Sequence, residues 1–328
     1  MKKSLKKVLA VVMAIVIVAG CFVACTNASN TDKTDKYTVG ILQLVEHVAL
    51  DAATEGFKQA IIDELGEDAV EFKFQNAQND SATCSTIANQ FVSDGVDLIM
   101  ANATPALQAA AAATGEIPIL GTSVTEYGVA LKIENFTGTV GTNVSGTSDL
   151  APLDKQADMI TEWFPEAKTV GLIYCSGEAN SKYQVDVVAK ELKAAGDTAQ
   201  MFPFTDSNDL QAICQNAADA CDVIYVPTDN TVASNAGIID NICSTKNVPV
   251  IAGEEGICNG CGVATLSISY YDLGYTTGQM AVKILRDGAD ISTMAIEYAP
   301  TTPKYNADKC TALGITPLDG YEAIAAAE

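Results

Sequence analysis

The feature that most constrains this chain is an internal repetition of strand signals. Thr169 to Cys175 (TVGLIYC) stands 131 residues after Thr38 to Leu44 (TVGILQL). Asp222 to Thr228 (DVIYVPT) stands 125 residues after Asp97 to Ala103 (DLIMANA), and Pro249 to Gly253 (PVIAG) 131 after Pro118 to Thr122 (PILGT). Near-constant offsets over three strands imply two units of one design, arranged in series. Between the strands the apolar period changes from 2 to 3.6. Leu50, Ala53, Phe57, Ala60, Ile61 and Leu65 share a helical face within Ala49 to Leu65, and Ile87, Phe91 and Val92 do so within Ser81 to Asp94. Regular βα alternation predicts an α/β fold: two similar lobes of parallel β-sheet flanked by helices, with a ligand cleft between them.

The expected first lobe comprises residues 37–150 plus 263–288, and the second 151–262 plus 289–328. Thr147 to Asp154 is the expected first crossover. The strand Ala264 to Ser269 and the helix Asp272 to Asp287 are expected to return to the first lobe, and the tail from Ile291 to cross back. This makes a multi-strand hinge.

Residues 1–20 are of a different kind. Lys2, Lys3, Lys6 and Lys7 precede the uncharged apolar run Val8 to Val18, and Val18-Ala19-Gly20-Cys21 follows. This is a secretory signal, too short for a stable span. A cysteine directly after small residues fits a lipobox, so Cys21 is the expected lipidation site, with Cys25 as the alternative. Residues 21–36 then form a polar tether. The product would be lipid-anchored at the extracellular face of the membrane, or periplasmic in a Gram-negative source.

The chain has 19 Lys and Arg against 41 Asp and Glu, a net charge of −22 that becomes −26 once the segment before Cys21 is removed. That balance excludes nucleic acid as a partner, because phosphate binding needs a basic face. Catalysis is poorly provided for. The chain has a single histidine, His47, and no GxSxG elbow. Cys258-Asn-Gly-Cys261 lacks a second CxxC and a nearby histidine, and it reads as a Gly-rich loop, so neither a zinc site nor a redox motif is expected. The chain is expected to be a binding protein without cofactor or metal, and a monomer.

Ligands of open α/β sheets bind beyond the carboxyl ends of the strands. The polar residues at those positions are Glu46, His47, Asn76, Thr104, Ser123 and Thr125 in the first half. In the second they are Glu178, Asn180, Asp206, Thr228, Asp229, Asn230, Glu254 and Glu255. Helix starts near Thr104, Asn180 and Thr231 suit a ligand carboxylate, and Glu46, Asp229 and Glu254 suit an ammonium group. Together they fit a zwitterion such as an amino acid. Tyr270 or Tyr271 could supply an aromatic wall. Any one of these polar residues could equally be an ordinary helix cap.

Several stretches make the sequence resemble the ABC transporter substrate-binding protein family that includes tryptophan-binding lipoproteins. They are VGILQLVEHVALD (39–51), FQNAQND (74–80), IANQFVSDGVDLIMANATPA (87–106), IYVPTDNTVAS (224–234) and SYYDLGYTTGQMA (269–281). The resemblance implies a type I periplasmic-binding-protein fold that closes on a small solute and hands it to an ABC permease with its ATPase. It implies an aromatic amino acid as solute, tryptophan, phenylalanine or tyrosine. The implied contacts are Glu46, His47, Thr104, Asp229, Asn230 and Glu254 or Glu255. Val48, where the family usually has proline, and Cys175, where asparagine is common, depart from the pattern. A nucleoside-binding lipoprotein and a ligand-binding sensor are the alternative readings.

Overall fold

The computed structural model describes residues 36–325. The signal segment and both lipidation candidates, Cys21 and Cys25, lie outside them. The first sheet contains β1 (Tyr37–Gln43), β2 (Val70–Asn76), β3 (Leu98–Asn102), β4 (Ile119–Val124), β5 (Val144–Ser148) and β11 (Glu297–Tyr298). Its order is β11-β5-β4-β3-β1-β2, parallel throughout. The second sheet contains β6 (Thr169–Cys175), β7 (Thr198–Phe204), β8 (Val223–Val226), β9 (Val250–Ala252), β10 (Ala264–Ser267), β12 (Thr302–Tyr305) and β13 (Glu322–Ala323). Its order is β13-β12-β10-β9-β8-β6-β7, with only the β10–β12 pair antiparallel. Both lobes thus carry the same 2-1-3-4-5 strand order.

The central strands of each sheet are buried on both faces, and alternate residues feed different cores. Val39, Ile41, Leu98 and Met100 pack on one side of the first sheet, and Leu42, Leu44, Ile99 and Ala101 on the other. Leu172, Tyr174 and Tyr225 are likewise separated from Ile173, Cys175, Ile224 and Val226 in the second. The helices that cover these faces are α1 (Val48–Leu65), α2 (Ser81–Asp94), α3 (Thr104–Ala113) and α4 (Tyr127–Leu131), then α5 (Leu153–Trp163), α6 (Ala179–Ala195), α7 (Ser207–Ala220), α8 (Asn230–Ala233), α9 (Ala236–Lys246), α10 (Glu255–Cys261), α11 (Tyr270–Leu285) and α12 (Ala307–Leu313). None of them is long and apolar enough to cross a membrane.

The lobe boundaries differ from the expected ones in two places. Strand 264–267 does not return to the first sheet; it is the fifth strand of the second, reached from β9 through α10 by a short crossover that leaves parallel neighbours adjacent. The tail does not all belong to the second lobe, since β11 pairs with β5. The helix α11 does return, and it packs on α1 and beside β4 and β5. The chain therefore passes between lobes at 149–152, 268–269 and 299–301. The CxxC is also placed differently: Cys258 and Cys261 lie within α10, directly after β9, rather than in a loop.

Glycines set how closely α11 and α1 approach. A Cβ on Gly274 would stand 1.9 Å from the Ala53 carbonyl oxygen, and one on Gly56 2.0 Å from that of Tyr271. Both neighbours are backbone and cannot rotate away. Gly274→Ala should therefore push the helices apart and destabilise the chain by about 3 kcal/mol. The readout is a lowered urea midpoint at unchanged m-value.

Candidate functional site

A small cavity lies between the lobes at the carboxyl ends of the strands. Its first-lobe wall comes from His47 and Leu50 around the start of α1, and from Ser123 and Thr125 at the end of β4. Its second-lobe wall comes from Asn180 on α6, Thr228 and Asp229 after β8, Asn230 and Ala233 on α8, and Glu254 before α10. Asp149 and Tyr270, each beside an interlobe crossing, complete it. The cavity volume between these walls is only about 10 Å³. That is room for about one water.

The lobes touch directly across the cleft. His47 Nε2 lies 3.3 Å from Asn230 Oδ1, and Asn79 Nδ2 donates to Thr231 Oγ1 at 3.0 Å. The Asn230 amide is oriented by Glu178, whose Oε2 accepts from Asn230 Nδ2 at 2.6 Å. Asn230 Oδ1 is thus an acceptor, and His47 presents a protonated Nε2 to it. Burial holds the imidazole pKa below its usual value against the opposing effects of Asn230, Asp51 and Glu178.

Acid side chains dominate the electrostatics. Asp229 Oδ1 accepts from Val232 N at 2.9 Å and Oδ2 from Cys175 N at 2.7 Å, so this carboxylate caps α8 and ties it to β6. Glu254 caps α10, accepting from Gly256 N at 2.6 Å and from Ile257 N. Burial, and then the nearby Glu178, pushes Asp229 up to about 8, and burial pushes Glu254 up to about 7. Asp149 is buried too, and burial raises its pKa. Its Oδ2 accepts from the Tyr270 hydroxyl at 2.8 Å, while Oδ1 has no partner. Among the described residues, no Lys or Arg lines the cavity. Three buried acids without a cation are an unbalanced arrangement that a cationic group would complete.

Three cavity-lining residues carry a buried oxygen without a hydrogen-bond partner: Ser123 Oγ, Asp149 Oδ1 and Asn180 Oδ1. Asn180 cannot turn its amide round to relieve this. Its Nδ2 faces acceptors, the Thr228 carbonyl at 3.1 Å and Glu178 Oε2 at 3.2 Å. Ser123 sits in a left-handed conformation (φ 54°) within a β-bulge of β4, and such local strain gathers at ligand sites. Two of these orphans are pure acceptors and the third is a hydroxyl. One group with several N–H donors, such as an ammonium, could satisfy all three.

The cavity gathers His47, Ser123, Thr125, Asn180, Thr228, Asp229, Asn230, Glu254 and Tyr270 among the residues expected from sequence. The others stand elsewhere. Glu46 is exposed. Asn76 closes a turn by accepting from Gln78 N. Thr104 is buried at the start of α3. Asp206 is exposed and caps α7. Glu255 pairs with Lys304 at 2.7 Å on the second lobe. Glu178 lies behind the wall and accepts from the backbone and side chains of Asn230 and Thr231. Leu50, Asp149 and Ala233 line the cavity without having been expected. Asp149 had a signal: it is an acid in the expected crossover, where the chain must pass the cleft.

A family model described as ABC transporter substrate binding protein matches residues 38–306. A tyrosine-binding protein of Clostridioides difficile (strain R20291) is 38% identical over 294 residues, covering 85% of this chain and 84% of that one. Among solved structures, an ABC domain from Streptococcus pneumonia in complex with L-Trp superposes with a TM-score of 0.83 at 30% identity, over 88% of this chain and 100% of that one. The ligand-free, open structure of a substrate-binding protein with adhesive properties from Clostridium difficile is closer in sequence, at 40% identity, over 88% of this chain and 99% of that one. Its TM-score is only 0.67. The lower score against the open form agrees with the interlobe bonds: the lobes stand closed here. The chain belongs to the ABC transporter substrate-binding protein family, a family of solute binders rather than enzymes, with the type I periplasmic-binding-protein fold.

Proposed function

We propose that this protein captures an aromatic amino acid in the interlobe cleft at the outer face of the membrane, held there by a lipid on Cys21, and delivers it to an ABC permease. The observation that carries the amino-acid reading is the set of unpartnered oxygens on Ser123, Asp149 and Asn180, facing a cavity lined by acids and by no cation. The ammonium of the solute would occupy this one-water void. Its carboxylate would take the hydroxyls and free N–H groups at the strand ends. Its ring needs more room than the closed cavity offers, so capture requires the lobes to part and close again, a hinge motion at the three crossings. The aromatic class rests on the relatives that bind tyrosine and L-Trp.

The test is calorimetric titration of the chain from Asn27 onward, unfolded and refolded to strip any carried ligand, against the twenty amino acids and a nucleoside panel. One-to-one binding of tyrosine or tryptophan is expected. Binding of nucleosides alone, or of no amino acid, would overturn the reading.

Affinity should also depend on pH. Carboxyls raised to about 7 and about 8 hold protons in the free protein that an ammonium would expel. Binding therefore weakens as pH falls, by about tenfold between pH 8 and pH 6 for one carboxylate titrating near 7. The ligand-free fold has the opposite trend. These acids bind protons more tightly folded than unfolded, so their contribution is full below about pH 4 and is lost as pH rises through 7 to 8. A Kd that does not change over this range would show that the cavity acids do not meet the ammonium.

A further inference from the structure

Cys84, Cys175, Cys214, Cys221, Cys243, Cys258, Cys261 and Cys310 are all buried and unbridged in this structure. Six of the eight lie in one apolar cluster of the second lobe, beneath α7, α9 and α10. Geometry separates three of the possible pairs within it. Cys214 and Cys221 flank the last two turns of α7, about 10 Å apart along the helix axis, beyond the reach of a disulfide. Cys258 and Cys261 share α10 at a spacing of three, where Cβ atoms stand about 5–6 Å apart and a bridge needs about 4 Å. Cys261 Sγ instead lies 3.4 Å from the Ile257 carbonyl. Cys214 on α7 and Cys243 on α9 have their sulfurs 3.8 Å apart, in contact. An ion pair between Lys246 and Asp219 clamps the same two helices at their carboxyl ends.

We infer that Cys214 and Cys243 are a disulfide site, closed while the chain folds outside the cytoplasm and tying α7 to α9. Closing the bond requires the sulfurs to approach by less than about 2 Å. Each thiol loses its proton and the pair gives up two electrons to a disulfide oxidant, such as glutathione disulfide or a thiol oxidoreductase, which becomes two thiols. Substrate-binding proteins of this family act outside the cytoplasm, where such bonds persist. Timing follows from burial. Cys214 is 0% and Cys243 2% exposed, and the contact with Cys214, with burial, pushes the Cys243 thiol up. Since the thiolate is the attacking species, a chain already folded in the reduced state resists oxidation. The bond must form before the helices dock, or during local opening.

The experiment refolds the chain from Asn27 onward, which keeps every described element, in a reduced and oxidised glutathione buffer. Free thiols are then alkylated under denaturing conditions and peptides mapped by mass. The expected product lacks 2 Da, carries one crosslink between the Cys214 and Cys243 peptides, and has its other six thiols alkylated. Its Tm should exceed that of the reduced form by about 5 °C, from a constrained loop of about 30 residues, and dithiothreitol should remove the difference. Cys214→Ser and Cys243→Ser should each abolish both the crosslink and the shift. Complete alkylation of all eight thiols, or a link through other cysteines, would overturn the assignment, and so would a 2 Da loss that survives Cys214→Ser. The mapping is made on the unsubstituted chain, so poor folding of a variant cannot obscure it. A failure here leaves the solute-binding reading untouched, because that is measured by titration.

Discussion

Asp149→Asn is expected to weaken tyrosine and tryptophan binding by about 100-fold or more while leaving the fold as stable as before. Asp149 is the one cavity acid with a free oxygen. Both oxygens of Asp229 and both of Glu254 already accept backbone N–H groups, whereas Asp149 Oδ1 has no partner. In the asparagine variant the amide oxygen can still accept the Tyr270 hydroxyl, and the NH₂ falls where the ammonium should sit. An attractive charge is replaced by a donor facing donors, a loss of about 3 kcal/mol. Stability should hold or rise slightly, since a neutral amide replaces a carboxyl that burial disfavours in its charged form. A ligand without the amino group, such as 3-(4-hydroxyphenyl)propionate, supplies the control: its weaker binding should not respond to the substitution. A Kd within about threefold of the parent for tyrosine would remove Asp149 from the ammonium site and return the role to Asp229 or Glu254, where the sequence placed it.

The reason Asp149 escapes a sequence reading also explains what such a reading can see. Strand ends are visible because buried parallel strands are near-continuous apolar runs, and the residue after each run is fixed to within one or two positions. His47, Ser123, Asn180, Thr228 and Glu254 follow from that rule alone. Asp206 satisfies it equally well but follows β7, the edge strand of its sheet, and stands exposed as the cap of α7. A list of strand ends cannot separate central from edge strands without the sheet order. β5 carries little strand signal because VSGTS is short, polar and glycine-bearing, so its correspondence with β10 of the second lobe is not legible in the sequence. That correspondence is what places 264–267 in the second sheet and makes the segments following β5 and β10 equivalent crossings. Those crossings carry Asp149 and lead into Tyr270. Their hydrogen bond joins residues 121 apart in sequence, a contact that neither period nor propensity encodes.

Glu178→Ala is expected to lower stability by about 3 kcal/mol, and with it the Tm by about 6 °C or more. The sequence suggested a ligand contact for this residue, and the structure gives it a different task. Its carboxylate accepts from Asn230 N at 3.1 Å, Thr231 N at 2.9 Å and Thr231 Oγ1 at 2.9 Å, as well as from Asn230 Nδ2. It is 4% exposed. It therefore neutralises the N-terminus of α8, whose four residues are too few to hold a helix by themselves. Removing it leaves several buried donors unpaired at once, each with a desolvation penalty of about 1–3 kcal/mol before relaxation. The same bonds fix the Asn230 amide, which meets His47 across the cleft, and they hold Thr231, which meets Asn79. Loss of Glu178 should thus also favour the open form and raise the Kd by about tenfold, through closure rather than through a lost contact. The two effects separate the roles. A large fall in Tm with a modest change in Kd marks a residue that builds the wall. An unchanged Tm with lost binding would put its carboxylate on the solute and leave the order of α8 to the Asp229 cap.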